Sequence, residues 1–215
     1  MKDLGKYIEL LFPVDFEKNE FIALGIRGDR HAFNRFCINV DEVVENLEKY
    51  SLNNHIYISL STIMGKEIQI RRGSGWATKL KKNRQAESMY RRYCLGFDFD
   101  KKDFIDSKRP QHFKTFTKDM GIEYFIEHFK EFVGLDYSFI VDSGHGYHFY
   151  ILIEGTSDIK RVTDITKRFS KLAGADIINA NEAQTLRLLY SFNLKNGITG
   201  LQVKIVDGLS EHMRK

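Results

Sequence analysis

A chain of 215 residues, 42% hydrophobic and 13% aromatic with only 2 prolines, is long enough to bury a sizeable core and is not of disordered or low-complexity composition. Its 33 Lys and Arg against 29 Asp and Glu leave a net charge of +4, too small to demand a polyanionic partner by itself. Cys37 and Cys94 lack the spacing of a zinc knuckle or a disulfide framework, and no window approaches the ~20 apolar residues of a membrane span, so a cytoplasmic protein without zinc or membrane contact is expected.

In chain order, Leu4, Tyr7, Ile8 and Leu11 fall on one helical stripe, and 21–26 alternates as a strand. Val40, Val43, Val44, Leu47 and Tyr50 repeat the helical spacing, with Asn39 or Asp41 placed to cap. Strands over 55–60 and 67–71 follow, parted by the turn-like Met64-Gly65-Lys66. From Arg71 to Arg92 eight basic residues stand against one acid, Glu87, which leaves the rest of the chain net acidic by three. The part of this run after Gly73 reads as a loop entering a helix. The basic side chains of the whole run are Arg71, Arg72, Lys79, Lys81, Lys82, Arg84, Arg91 and Arg92. Trp76, the sole tryptophan, has the composition bias of a core residue but stands among arginines, where it would stack a base.

The run Tyr93-Cys94-Leu95-Gly96-Phe97-Asp98-Phe99-Asp100 reads as a strand whose odd positions Tyr93, Leu95, Phe97 and Phe99 form an apolar stripe. Asp98 and Asp100 then share the opposite face, roughly 6.5 Å apart along the strand, where they repel each other unless a cation lies between or in front of them. Mg²⁺ or Mn²⁺ suits such hard oxygen donors. Gly96, on the same face, is expected to leave room for a ligand. Beyond it the pattern predicts a helix over 121–133 ending at Gly134, strands over 137–142 and 147–153, a helix over 158–173 beginning near Ser157 or Asp158 and ending at Gly174, then late strands. This strand–helix–strand–strand–helix–strand order is the split βαβ, RRM-like pattern. The expected fold class is α+β with two interlocked lobes, an N-terminal mixed α/β lobe over about 1–92 and an RRM-like βαββαβ lobe over about 93–215, and the active site between them. No linker, repeat or low-complexity stretch divides the chain.

Ser143-Gly144-His145-Gly146-Tyr147-His148 joins two of those strands. Its two glycines call for a tight turn with positive φ, whose backbone N–H groups would face an anion, and a hairpin beside 93–100 would put His148 on the acidic face. Asp176 adds a third acid after Gly174, and Arg187 and Lys195 bring cations suited to a triphosphate.

Together these residues resemble the catalytic core of the archaeo-eukaryotic primase superfamily, in particular its primase-polymerase type from plasmids, phages and mobile elements, over most of the chain. Gly96-Phe97-Asp98-Phe99-Asp100 is similar to the family's hydrophobic-Asp-hydrophobic-acid motif, Ser143-Gly144-His145-Gly146-Tyr147-His148 to its Ser-Gly-x-Gly-x-His motif, and Asp176 stands where its third acid is expected. The resemblance implies a DNA primase or polymerase in which Asp98, Asp100 and Asp176 hold two Mg²⁺ or Mn²⁺ ions. It further implies that Ser143, Gly144, Gly146 and His148 contact the phosphates of a dNTP or rNTP, with Arg187 and Lys195 on the triphosphate, opposite a primer and a single-stranded DNA template that Arg71, Arg72, Trp76, Lys79, Lys81, Lys82 and Arg84 would follow. Relatives often continue from Leu-Arg through Pro-Gly-Thr, where this chain has Leu188-Leu189-Tyr190-Ser191-Phe192. They also often carry a helical domain after the core; such a domain or a helicase would act from outside this chain, which suggests a minimal enzyme or a fragment. The alternatives are an inactive RRM-like nucleic-acid-binding module and a rolling-circle initiator or relaxase. The latter needs a His-hydrophobic-His pair, and His145 and His148 are one residue too far apart for it.

Overall fold

The elements run α1 (Lys2–Leu11), β1 (Glu20–Arg27), β2 (Ala32–Cys37), α2 (Val40–Tyr50), β3 (His55–Ser59), β4 (Ser61–Met64), β5 (Lys66–Arg72), β6 (Gly75–Lys81), β7 (Met89–Asp100), α3 (Ile122–Val133), β8 (Phe139–Asp142), β9 (Gly146–Thr156), α4 (Ile159–Ala173), β10 (Thr185–Arg187), β11 (Phe192–Asn193), β12 (Leu201–Gln202) and β13 (Lys204–Asp207). They are seen in a computed structural model, which describes residues 2–13, 15–72, 75–100, 121–194 and 200–208. The helix ends follow the sequence signals. Asn39 Oδ1 accepts from Glu42 N at 2.9 Å to start α2, Asp158 Oδ1 accepts from Arg161 N at 3.0 Å to start α4, and Gly134 and Gly174 stop α3 and α4 at φ +70° and +71°.

Among the described residues nine strands form one antiparallel sheet, ordered β10-β3-β1-β4-β7-β9-β8-β13, with β2 also paired to β1. Alternation gives this sheet two apolar faces and therefore two cores. On one, α1 and α2 cover Leu24 and Ile26 of β1, Ile56 and Ile58 of β3, Cys94 of β7 and Tyr150 of β9, with the buried Tyr7 and Tyr150 hydroxyls 3.1 Å apart. On the other, Phe125 and Phe129 of α3 and Val162 of α4 cover Leu95, Phe97, Phe99 and Phe149. Each fully buried phenylalanine contributes about 1.5–3 kcal/mol. Tyr93 departs from the expected stripe: a register shift between Arg92 and Cys94 puts it in the first core.

β3 and β4 form one bent strand along β1. Ile58 faces Leu24 and Ile63 faces Phe21, so two extra residues bulge out near Leu60. The other edge forks there, β3 pairing with β10 (Tyr57 with Arg187) and β4 with β7 (Ser61 with Arg92). Gln184 fills the fork. Its backbone carbonyl accepts from Leu60 N at 3.0 Å, its Nε2 donates to the Gly96 carbonyl at 2.9 Å, and its Oε1 accepts from Arg92. The last strand of the split βαβ pattern thus pairs with β3 of the N-terminal half rather than with β7, and a cleft opens between β10 and the far end of β7.

The basic run corrects the expectation of a loop entering a helix. Gly75–Lys81 is a strand, paired with β5 from Lys66 opposite Lys81 to Arg72 opposite Gly75, because its alternating Trp76, Thr78 and Leu80 match the period of β5. Trp76 is 73% exposed, so it is not core. Arg91 is paired with Glu20, and Arg92 is fully buried, its Nε donating to the Cys94 carbonyl. Those two arginines therefore belong to the scaffold. Among the described residues no helix is long and apolar enough to cross a membrane.

Candidate active site

β7 presents Asp98 and Asp100 on one face, and register sets Asp98 against His148 and Asp100 against Gly146 of β9. His148 Nε2 lies 3.6 Å from Asp98 Oδ1. Along the opposite edge of β7 runs the segment after α4, where Asp176 N donates to the Asp98 carbonyl at 2.8 Å. The structure therefore brings together the three acids and His148, as the motifs led us to expect. Arg27, Tyr57 and Arg187 come from the strands across the fork. Arg187 Nη1 donates to His55 Nδ1 at 2.9 Å, and its guanidinium lies 5.0 Å from the Tyr57 ring centre, with that of Arg27 at 5.2 Å. These groups, with Ser143, His145 and Asn193, line a polar cavity of about 270 Å³. A larger groove of about 800 Å³ beside α1, lined by Ile8, Phe12, Phe16 and Ile22, contains none of them.

Burial, reinforced by the like charges of Asp100 and Asp176, pushes the Asp98 carboxyl up to about 7 in spite of Arg187. Burial and then Arg187 push His148 down to about 3, so its ring is neutral at pH 7. The 3.6 Å approach to Asp98 is therefore neither an ion pair nor, at that length, a hydrogen bond. Burial lowers Arg187 too, yet an arginine stays charged. The cavity holds mutually repelling carboxylates on one side and guanidiniums on the other, an arrangement relieved by a cation on the first and an anion on the second.

Asp98 and Asp100 offer the hard oxygen donors that a divalent cation needs. Asp176 is already engaged, Oδ1 accepting from Ile178 N and Oδ2 from Asn179 Nδ2, both at 2.8 Å. Among the described residues no three His, Cys, Asp or Glu groups stand close enough to make a ready-formed metal centre. The donor set therefore fits a cation through the two strand acids, with the third acid held in a turn of its own beside them.

Several expectations for neighbouring residues change. Gly96 does not leave room for a ligand: a Cβ there would overlap Leu60 Cδ1 and lie 3.0 Å from Leu186 Cδ1, so the space is filled by core. Gly144 has the expected positive φ of +89°. Gly146 does not; it is required because a Cβ would overlap the Phe99 carbonyl oxygen across the ladder. Two amides expected to face an anion are spent inside the turn, Ser143 N on the Gly146 carbonyl at 3.0 Å and Gly144 N on Asp142 Oδ1 at 2.7 Å. The Ser143 carbonyl accepts from Asn193 Nδ2 at 2.8 Å, which ties this turn to β11. In the stretch that departs from Pro-Gly-Thr, Leu188 and Leu189 are buried. Ser191 N donates to the Leu188 carbonyl at 3.1 Å while Tyr190 sits at φ +64°, a turn that returns the chain from Arg187 to Asn193 at the cavity. Lys195 lies outside the described residues. Arg27, Tyr57, Asn179 and Asn193 were not among the expected site residues. Alternation in β1 gave a signal for Arg27, which shares no face with the apolar Ile22, Leu24 and Ile26, but nothing local marks the other three.

The fold is that of the archaeo-eukaryotic primase (AEP) domain of primase-polymerases. The AEP domain of the cyanophage S-2L primase-polymerase superposes with a TM-score of 0.61 at 14% identity, over 100% of this chain and 97% of that one. The crystal structure of the primase RepB′ gives 0.59 at 13% identity over 97% of this chain and 56% of that one, so the chain spans little more than half its length. The catalytic domain of RepB′ in complex with initiator DNA gives the same score and identity, over 97% and 84%. No protein-family model matches the chain, and no curated protein matches its sequence.

Proposed function

We propose that the protein is a template-directed nucleotidyltransferase that joins dNTPs or rNTPs on a single-stranded DNA template. The observation that carries this reading is the placement of Asp98 and Asp100, at strand spacing, in one polar cavity with His148 and Arg187 opposite or beside them. Asp98 and Asp100, with Asp176 adjacent, are the residues that would hold two Mg²⁺ or Mn²⁺ ions. Such ions, when bound, favour attack of a 3′-hydroxyl on an α-phosphate and neutralise the charge that develops on the phosphate oxygens. The chain's own contribution is positioning and charge. Arg187 offers its guanidinium to the triphosphate, held in place by His55 and braced on Tyr57. Neutral His148 offers a ring nitrogen to a phosphate oxygen without adding a positive charge beside Asp98. Ser143, whose carbonyl is pinned by Asn193, lines the same cavity, and Lys195 comes two residues after Asn193 in the sequence.

The test is incorporation of labelled dNTPs or rNTPs on single-stranded DNA, with and without an annealed primer, in Mn²⁺ or Mg²⁺. Product without a primer identifies a primase, and product only with one identifies a polymerase. Asp98→Ala and Asp100→Ala must abolish either while remaining folded by circular dichroism. Incorporation by Asp98→Ala at the wild-type rate overturns the assignment, and no product from wild type in either format leaves the nucleic-acid-binding module as the better reading.

A further inference from the structure

The β5–β6 hairpin and Arg84, which follows it, carry cations for which the described residues provide no acidic partner. Lys66, Arg71, Arg72, Lys79, Lys81 and Lys82 are exposed, and Glu67 is the only acid among them. Register places Arg71 opposite Trp76 on one face of the ribbon, so the exposed indole stands beside a guanidinium. From the foot of the hairpin the chain folds back over the sheet, with Lys82 Nζ 3.8 Å from the Phe21 ring centre. Arg84 then lies half-buried over Gly25, where a Cβ would be 3.9 Å from both its Cζ and the Cβ of Tyr57. Its Nε is buried without a hydrogen-bond partner among the described residues, and the charge acting on it is another cation, Arg27. Arg27 in turn shares the Tyr57 ring with Arg187. A row of cations therefore runs from the hairpin to the cavity, ending in the half-buried Arg84 over Gly25 and the exposed Arg27 over the Tyr57 ring. Desolvating an unpaired guanidinium beside a like charge is unfavourable unless an anion completes the site.

We infer that this row is the path of a single nucleic-acid strand, that Arg84 with Arg27 binds one of its backbone phosphates over Gly25, and that Trp76 stacks an unpaired base. A single strand, not a duplex, fits because an exposed indole on a narrow ribbon needs an unstacked base as its partner, while spaced lysines and arginines follow phosphates without regard to sequence. The inference rests on the proposed function only in expecting a nucleic acid, and its test uses no catalysis.

Fluorescence anisotropy of a labelled oligothymidylate, titrated with the full chain over a range of salt without nucleotide or divalent ion, reads strand binding. Arg84→Gln is expected to weaken binding several-fold at low salt and to flatten the slope of log K against log salt by about 0.7, the contribution of one single-strand phosphate. Arg84→Lys restores the slope. Trp76→Ala weakens binding by about tenfold with the slope unchanged, as loss of one stacked base would. Matching circular dichroism and melting curves confirm that each variant is folded. A parallel titration with a fluorescent nucleoside triphosphate and Mn²⁺ is expected to leave Arg84→Gln at wild-type affinity. An unchanged slope in Arg84→Gln overturns the inference, as does lost nucleotide affinity with strand binding intact, which would give the phosphate to the triphosphate instead. A wild-type protein that binds strands in this pattern yet incorporates no nucleotide would refute the proposed reaction and leave the strand path standing.

Discussion

Replacing Asp98 with Asn should stabilise the protein in the absence of divalent cations, and by an amount that depends on pH in a defined direction. The Asp98 carboxyl is pushed up to about 7 in the folded chain from an ordinary value of 3.8. At about 1.36 kcal/mol per pH unit, that difference corresponds to at most about 4 kcal/mol. The side chain is 23% exposed, so solvent screening lowers the expected figure to about 2–4 kcal/mol. Below about pH 4 the carboxyl is neutral in both states and Asp98 is no burden. Between about pH 4 and 7 the unfolded chain ionises while the folded one holds its proton, so stability falls as pH rises, and above about 7 the full penalty remains. Asparagine does not titrate, so the stability of Asp98→Asn minus that of wild type should start near zero at about pH 4 and grow to about 2–4 kcal/mol by about pH 7.5. His148 titrates the other way. Held down to about 3 against an ordinary 6.5, it removes stability from both proteins as pH falls below about 6.5, and it largely cancels in the difference. Urea unfolding in chelator across this range, followed by tryptophan fluorescence and circular dichroism, provides the measurement. A difference that is flat with pH, or a variant less stable than wild type at neutral pH, would refute the view of Asp98 as a desolvated acid repelled by its neighbours.

Adding Mn²⁺ at neutral pH should raise the melting temperature of wild type and leave Asp98→Asn nearly unchanged, which differential scanning fluorimetry reads directly. Gly96→Ala should lose about 1–3 kcal/mol in urea unfolding because its Cβ must displace Leu60 and Leu186. Gln184→Leu leaves the buried Arg92 guanidinium without its side-chain acceptor and unties β7 from β10; the expected loss is about 3 kcal/mol or more, measured in the same assay. Burial pushes the Cys37 and Cys94 thiols up to about 12 and about 11, so neither should react with a thiol reagent at about pH 8 until the protein is unfolded.

What was legible in advance and what was not differ by range along the chain. The cap at Asn39, the left-handed stops at Gly134 and Gly174, and the alternation that sends Phe97 and Phe99 one way and Asp98 and Asp100 the other are local, and each appears as expected. The Asp98–His148 pairing was within reach because one short turn joins β8 to β9 and sets the face that His148 occupies. The second strand of the hairpin, β6, was misread because charge hid the alternation, and Trp76 because burial of an aromatic residue is decided by what packs over it.

The amino-acid sequence determined, through periodicity and caps, which segments become helix or strand, and through the spacing of Asp98, Asp100 and His148 which side chains share a face. Only the tertiary structure decided where the sheet forks. The bulge at Leu60 and the Gln184 wedge split the partners of one bent strand, and that fork brings Arg27, Tyr57 and Arg187 across from Asp98 and Asp100, more than seventy residues away in the chain for Arg27 and nearly ninety for Arg187. No local pattern encodes such a meeting, because it depends on strand order and register between segments that touch only once both cores have formed.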